Sequence, residues 1–238
     1  MSAPALVLVA HGTRSAKGVR TIAELAEAVE REMLRGGVRV PIRTAFVDVL
    51  GPTPAQVLRE LKDTPAVVVP AFLASGYHVY QDVPREVADS DHRDVVVTAA
   101  MGPDPILARV QRMRLREAGF RDGDAVVFGA AGSSDARARH DVRKAAALLG
   151  AELGLRVPAA AIATGEPRVP DVVASLRESG ARRVFVASYL LADGLFQQRL
   201  HDSGADGVAD PLGIHPAIVR LLLERYRTAA SEFITAAA

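Results

Sequence analysis

Two histidines, His11 and His78, are the residues of this sequence best suited to metal chemistry. Each follows an apolar run, His11 directly after Ala5–Ala10 and His78 shortly after Ala66–Leu73. Neutral imidazole nitrogens bind divalent ions such as Co²⁺, Fe²⁺, Ni²⁺ and Zn²⁺, and two protein ligands leave other coordination positions open. The alternative for each residue is a strand-end histidine hydrogen-bonded to backbone.

A carboxylate follows a third apolar run and belongs to the same group of candidates. Asp48 comes directly after Val38–Val47. It could serve as a third ligand or as a proton acceptor, the alternative being a capping or loop aspartate before Gly51. Because protonation of either imidazole removes a ligand, we expect activity to fall toward about pH 5–6.

The chain contains two similar halves, because four pairs of segments match in the same order. The matching pairs are Ala5–Thr13 with Ala125–Ser133, Arg39–Pro41 with Arg156–Pro158, Phe72–Gly76 with Leu190–Gly194, and Gly102–Leu107 with Gly213–Ile218. With 238 residues, the chain is long enough for two halves of ordinary domain size. We predict an N-terminal half, residues 1–120, that carries the metal site, and a degenerate C-terminal copy, residues 121–238.

The two copies differ at the candidate metal ligands. His11 corresponds to Ala131, and His78 corresponds to Phe196. Residues that both copies share can serve the fold alone, whereas a paired loss in one copy indicates that the other copy is specialised. The comparison therefore favours a joint role for the two histidines.

Short apolar runs alternate with segments of helical period, which is typical of parallel βα units. The predicted strands are Ala5–Ala10, Val38–Val47, Ala66–Leu73, Val95–Ala99, Ala125–Ala130, Arg156–Ala163, Arg183–Leu190 and Gly207–Ala209. In a doubly wound sheet of order 2-1-3-4, the first and third strands are adjacent and ligands bind beyond their carboxyl ends. We therefore expect His11 and His78 to face one crevice.

Composition and missing motifs exclude several other classes of protein. Lys and Arg total 29 against 28 Asp and Glu, so the net charge of +1 gives no broad surface for nucleic acid or an anionic membrane. The absence of cysteine suits a reducing cytoplasm and excludes thiolate chemistry. No apolar run is long enough for a membrane span. The phosphate-binding, dinucleotide-binding, nucleophile-elbow and zinc-peptidase motifs are also absent.

Three motifs together resemble the class II tetrapyrrole chelatases, specifically the sirohydrochlorin cobaltochelatases and ferrochelatases. They are Leu6–Arg14, Thr44–Asp48, and Val69–Val79 followed by Asp82–Pro84. The similarity extends over essentially the whole duplicated chain, as in the long members of that family. The family's two metal-handling histidines fall on His11 and His78, and its usual glutamate falls on the shorter Asp48.

The resemblance implies an α/β fold with two tandem, duplicated parallel-sheet halves, flavodoxin/Rossmann-like and of the chelatase type, that face a shared cleft. The implied reaction is insertion of Co²⁺ or Fe²⁺ into sirohydrochlorin, with Ni²⁺ a further candidate and no organic cofactor. The catalytic residues would be His11, His78 and Asp48. The residues expected to contact the macrocycle or its carboxylates are Arg14, Gly76, Tyr77, Ser133, Ser134 and Phe196.

Several alternatives stay open at this stage. Phe196 could instead pack in the core, and the chain could be a monomer or a homodimer. A metal or tetrapyrrole carrier without turnover would use the same histidines. A protoporphyrin ferrochelatase is disfavoured because its site lies in the second half, where both histidines are missing here, and a structural protein on a decayed chelatase scaffold is disfavoured by the intact pair in the first half.

Overall fold

Eight strands and eight α-helices alternate along residues 3–235, the part of the chain that this computed structural model describes. The strands are β1 (Ala5–Ala10), β2 (Ile42–Phe46), β3 (Ala66–Pro70), β4 (Val95–Val97), β5 (Ala125–Gly132), β6 (Ala159–Thr164), β7 (Val184–Tyr189) and β8 (Gly207–Val208). The helices are α1 (Ala16–Arg35), α2 (Pro54–Leu61), α3 (Val83–Asp89), α4 (Pro105–Glu117), α5 (Ala136–Leu153), α6 (Val169–Glu178), α7 (Leu195–His201) and α8 (Pro216–Thr235). A π-helical segment, His78–Asp82, leads into α3.

The strands form two parallel four-stranded sheets, in the orders β2-β1-β3-β4 and β6-β5-β7-β8. This confirms the predicted α/β fold with two parallel-sheet halves and the 2-1-3-4 strand order. In the first sheet, Leu6 of β1 pairs with Ile42 of β2 and with Val67 of β3. All residues of β1 and β3 are buried, as expected for central strands covered by helices on both faces.

The helices begin where the sequence supplies an N-cap. Ser15 accepts the Gly18 N–H at the start of α1, and Thr53 forms a capping box with Gln56 at the start of α2. The apolar face of α1 then recurs at helical spacing and is buried. Its buried residues are Gly18, Ile22, Leu25, Ala26, Val29 and Met33.

The chain divides into two compact units, and unit 1 includes both ends of the described chain. Unit 1 comprises residues 3–101 and 216–235, and unit 2 comprises residues 102–215. In unit 1, α8 packs on α1 and β3, and in unit 2, α4 packs on α5 and β7. Helix α4, which follows the last strand of the first sheet, therefore belongs to unit 2. Helix α8, which follows the last strand of the second sheet, belongs to unit 1.

These spatial units differ from the halves 1–120 and 121–238 that the repeat predicts, because α4 and α8 are exchanged. The halves remain a prediction about the duplication rather than about compact units. Residues 1–2 and 236–238 of the predicted halves lie outside the described residues. Each helix within residues 3–235 is too short or too polar to span a membrane.

Candidate metal site

His11 lies at the carboxyl end of β1, beside the chain that leaves β2. The parallel pairing continues past the strands: Val47 N–H donates to the Ala10 carbonyl at 3.1 Å, and Asp48 N–H donates to the His11 carbonyl at 2.9 Å. This register places Asp48 next to His11. The Asp48 side chain is exposed and accepts the Val49 N–H at 2.7 Å.

A glycine is required immediately after His11. Gly12 has a φ of +99°, and a Cβ there would lie 2.0 Å from the carbonyl oxygen of Asp48. In unit 2, Gly132 has the same relation to Thr164, also at 2.0 Å. The turn therefore needs glycine in both units, whereas the residue before it can differ, and only unit 1 has histidine there.

His78 is the first residue of the π-helical segment, in which the Val83 N–H donates to the His78 carbonyl. Pro84 explains the wider turn, because in a regular α-helix its ring would clash with the carbonyl four residues earlier, at Tyr80. The segment is anchored at its start by the Gly76 carbonyl, which accepts the N–H groups of Val79 and Tyr80 at 3.1 Å each.

The structure brings the two imidazole rings together. The ring centroids of His11 and His78 are 4.4 Å apart and their planes are inclined by 74°. Phe72 stacks near the His78 ring, with centroids 6.1 Å apart and planes 18° apart. Tyr77 meets the same ring edge-on at 6.1 Å. The crevice expected at the ends of the first and third strands therefore contains both histidines.

Asp82 contacts the His78 ring at its Nδ1 atom. His78 Nδ1 lies 2.6 Å from Asp82 Oδ2, and Arg85 Nη2 lies 2.6 Å from Asp82 Oδ1. The Asp82 side chain is buried, at 8% exposure, whereas the His78 side chain is 34% exposed. The contact at Nδ1 leaves Nε2 of His78 available to an ion.

The electrostatics of the pair favour neutral imidazole at His11. Partial burial lowers the pKa of His11 below 6.5, and the neighbouring His78 lowers it further, with Asp48 partly opposing both effects. The Asp82 carboxylate raises the pKa of Arg85 above its ordinary value. A neutral ring with a free lone pair is the form of histidine that binds metal ions.

Asp48 does not complete a three-residue cluster with the histidines. Within residues 3–235, no group of three or more histidine, aspartate or glutamate side chains is placed to hold an ion together. The arrangement therefore offers two imidazole ligands, with Asp48 as a nearby charged group.

The other predicted contact residues are distributed over both units. In unit 1, Arg14 is exposed before α1, and Tyr77, beside His78, is 56% exposed. In unit 2, Ser133 Oγ accepts the Asp135 N–H at 3.0 Å and the Ser134 carbonyl accepts from Arg139 at 2.5 Å.

Phe196 is half-buried and packs against the core of unit 2, and the Arg199 guanidinium lies 5.8 Å from its ring centroid. Packing against the core thus accounts for the partial burial of the Phe196 side chain.

Sequence reasoning assigned no role to Asp82 or Arg85. Two signals could have identified Asp82. It lies four residues after His78, which is the spacing of side chains that meet on one helix face. In the second copy it is replaced by Leu200, just as His78 is replaced by Phe196.

Two doubly wound parallel α/β units, one of which carries paired imidazoles beyond its strand ends, define a two-unit α/β protein with a candidate metal site. A family model described as CbiX matches residues 5–118 and 125–229. The chain therefore belongs to the CbiX family, and this confirms the resemblance found in the sequence.

Relatives and a solved structure match from about half to nearly all of this chain. The sirohydrochlorin ferrochelatase of Priestia megaterium is 23% identical over 246 residues, which span 95% of this chain and 91% of that protein. The sirohydrochlorin cobaltochelatase of Methanopyrus kandleri is 28% identical over 141 residues, 48% of this chain and 96% of that protein. The structure of SirB from Bacillus subtilis with Fe³⁺ superposes with a TM-score of 0.79 at 22% identity, covering 99% of this chain and 98% of that one.

Proposed function

We propose that this protein is a sirohydrochlorin chelatase, which inserts Co²⁺ or Fe²⁺ into the macrocycle, and that His11 and His78 present the ion. The observation that carries the proposal is the contact between the two rings, 4.4 Å between centroids, beyond the ends of β1 and β3. Membership of the CbiX family supports the reaction class. The named relatives include both an iron and a cobalt chelatase.

Metal insertion requires a labile ion at the face of the macrocycle while two pyrrole N–H protons leave. Two imidazoles hold the ion and leave positions open for the pyrrole nitrogens. Asp48 is exposed beside His11, so it can accept a proton and return it to solvent. The reaction needs no redox step and no nucleotide.

Arg14, Gly76 and Tyr77 are the proposed substrate contacts in unit 1. The exposed Tyr77 ring beside His78 offers an apolar face to a flat macrocycle, and Arg14 offers a guanidinium to a carboxylate. The contributions of Ser133, Ser134 and Phe196 stay predictions, as does the state of assembly.

Anaerobic absorbance spectroscopy with excess sirohydrochlorin and either Co²⁺ or Fe²⁺ tests the function. We expect multiple turnovers by the wild-type protein and a rate that falls by more than about 100-fold in His11→Ala and in His78→Ala, because even outer partners of metal ligands are worth about 10–100-fold. His140→Ala is the matched control, since this exposed histidine of α5 lies in unit 2.

The same experiment distinguishes a chelatase from a carrier protein without turnover. A wild-type rate no greater than that of the uncatalysed reaction, with metal and macrocycle still bound, would identify a carrier and overturn the proposal. Comparison of the initial rates with Co²⁺ and Fe²⁺ ranks the two ions.

A further inference from the structure

The Asp82 carboxylate occupies a position that a helix start does not explain. Asp82 is the last residue of the π-helical segment and has a helical backbone, so the chain enters α3 without a new helix start. Its carboxylate accepts no backbone N–H of the first turn of α3. Its two oxygens face His78 and Arg85 instead, each at 2.6 Å.

The fold does not require a carboxylate at this place either. Leu200 stands at the equivalent position of unit 2 and is fully buried in α7. Replacement of a buried ion pair by apolar residues is often neutral or stabilising, so packing alone favours a residue such as leucine. Asp82 is therefore present where His78 is present, and an aliphatic residue replaces it where Phe196 replaces the imidazole.

We propose that Asp82, held by Arg85, is a positioning residue that fixes His78 in the tautomer with its proton on Nδ1 and its lone pair on Nε2. An ionised carboxylate can only accept hydrogen bonds, so the 2.6 Å contact places the proton on Nδ1. The ion is then bound through Nε2. Carboxylates that orient a metal-binding histidine in this way set both the ring's tautomer and its basicity.

Arg85 has a defined part in this arrangement. Its guanidinium balances the charge of the buried carboxylate and fixes the Oδ1 atom, so that Oδ2 is directed at the imidazole. The π-helical segment brings His78 and Asp82 onto the same face, four residues apart.

Metal-free nuclear magnetic resonance tests the tautomer directly. Long-range ¹H–¹⁵N correlation of the neutral His78 ring should show protonated Nδ1 in the wild-type protein. In Asp82→Leu, which introduces the residue found in unit 2, the Nε2-protonated form should become populated, because the acceptor at Nδ1 is gone. An unchanged tautomer in Asp82→Leu would overturn the proposal.

Titration with Co²⁺ alone, followed by its visible absorption, tests the consequence for binding. We expect the Kd to rise about 10–100-fold in Asp82→Leu and less in Asp82→Asn, which keeps one acceptor oxygen. Asp206→Asn is the matched control, because Asp206 pairs with Arg177 at 2.9 Å in unit 2.

A double-variant cycle distinguishes positioning from general stabilisation. If Asp82 acts through His78, Asp82→Leu should weaken Co²⁺ binding no further once His78 is alanine. Equal weakening in both backgrounds would show a merely structural role and overturn the proposal. Asp82→Asn enters the same cycle if Asp82→Leu does not fold.

The inference rests on the proposed function only for the identity of the bound ion. Absence of turnover with sirohydrochlorin, together with an Asp82-dependent tautomer and Co²⁺ affinity, would contradict the chelatase proposal and leave the positioning role supported. Turnover with a tautomer that is independent of Asp82 would support the chelatase proposal and overturn the positioning role.

Discussion

Two features of the protein control the protonation of His11: the partial burial of its ring and the neighbouring imidazole of His78. Both lower the pKa of His11, and the Asp48 carboxylate raises it by less. The lowered pKa keeps the ring neutral at pH values where an ordinary histidine already carries part of a charge. We therefore expect the proposed metal binding by His11 to persist below pH 6.5 and to be lost only as the pH falls through the lowered pKa.

We expect His78→Ala to raise the pKa of His11 toward 6.5, because the substitution removes the electrostatic effect of the neighbouring imidazole and some of the burial, both of which lower that pKa. The measurement is a pH titration of the His11 ring by nuclear magnetic resonance, in the metal-free wild-type and variant proteins. His140, an exposed histidine of unit 2, serves as the internal reference. A wild-type His11 that titrates at or above 6.5 would contradict this explanation.

At the scale of elements, the apolar runs of the sequence predict where strands form better than where they end. The bounds of β1 were predicted correctly because every residue of Ala5–Ala10 is buried. The sixth strand was predicted from Arg156 but begins at Ala159. Pro158 explains the difference, because it has no N–H to donate to a neighbouring strand. The π-helical segment was not predicted, since its wider turn depends on Pro84 and on the packing around it rather than on any periodic pattern.

Helix α5 provides a prediction about stability and pH. Asp135 caps this helix by accepting the Arg137 N–H, and its carboxylate pairs with the Arg137 guanidinium at 2.8 Å. These bonds lower the pKa of Asp135 from 3.8 to about 2. Because the folded state favours the charged form, the stabilisation is complete above 3.8 and is lost as the pH falls through about 2.

We therefore expect Asp135→Asn to be less stable than wild type at neutral pH, with a difference that shrinks as the pH approaches 2. Asparagine is an equally good N-cap, so the variant isolates the charge. Denaturant unfolding at several pH values measures the effect, and Arg137→Gln should reproduce it. A difference that does not change with pH would assign the loss to the cap and not to the charge.

At the scale of the whole molecule, the duplication could be predicted from the sequence, but the exchange of α4 and α8 between the units could not. Each last helix is amphipathic and follows its strand in the same way in both copies, so local sequence does not say which sheet it covers. The structure places α8 against α1 and β3 of unit 1. Buried residues of α8 complete that core, among them Ile218, Leu222 and Tyr226.

Tyr226 connects α8 to the residue that precedes β1, since its buried hydroxyl donates a hydrogen bond to the Pro4 carbonyl at 2.6 Å. We expect Tyr226→Phe to destabilise unit 1 by about 1–3 kcal/mol, because the buried carbonyl loses its partner. Hydrogen exchange should show faster exchange in β1, with β5 of unit 2 as the internal control. Equal acceleration in both strands would contradict an effect confined to unit 1.

The exchanged helix also fixes an order of events during synthesis. Unit 2 is complete once residue 215 has left the ribosome, whereas the unit that contains both histidines needs α8, which is translated after unit 2. Domains ordinarily fold from the N-terminus as the chain emerges, but here the N-terminal sheet must wait until α8 has been translated. A chain that is released early therefore carries a finished unit without the paired imidazoles and an unfinished unit with them.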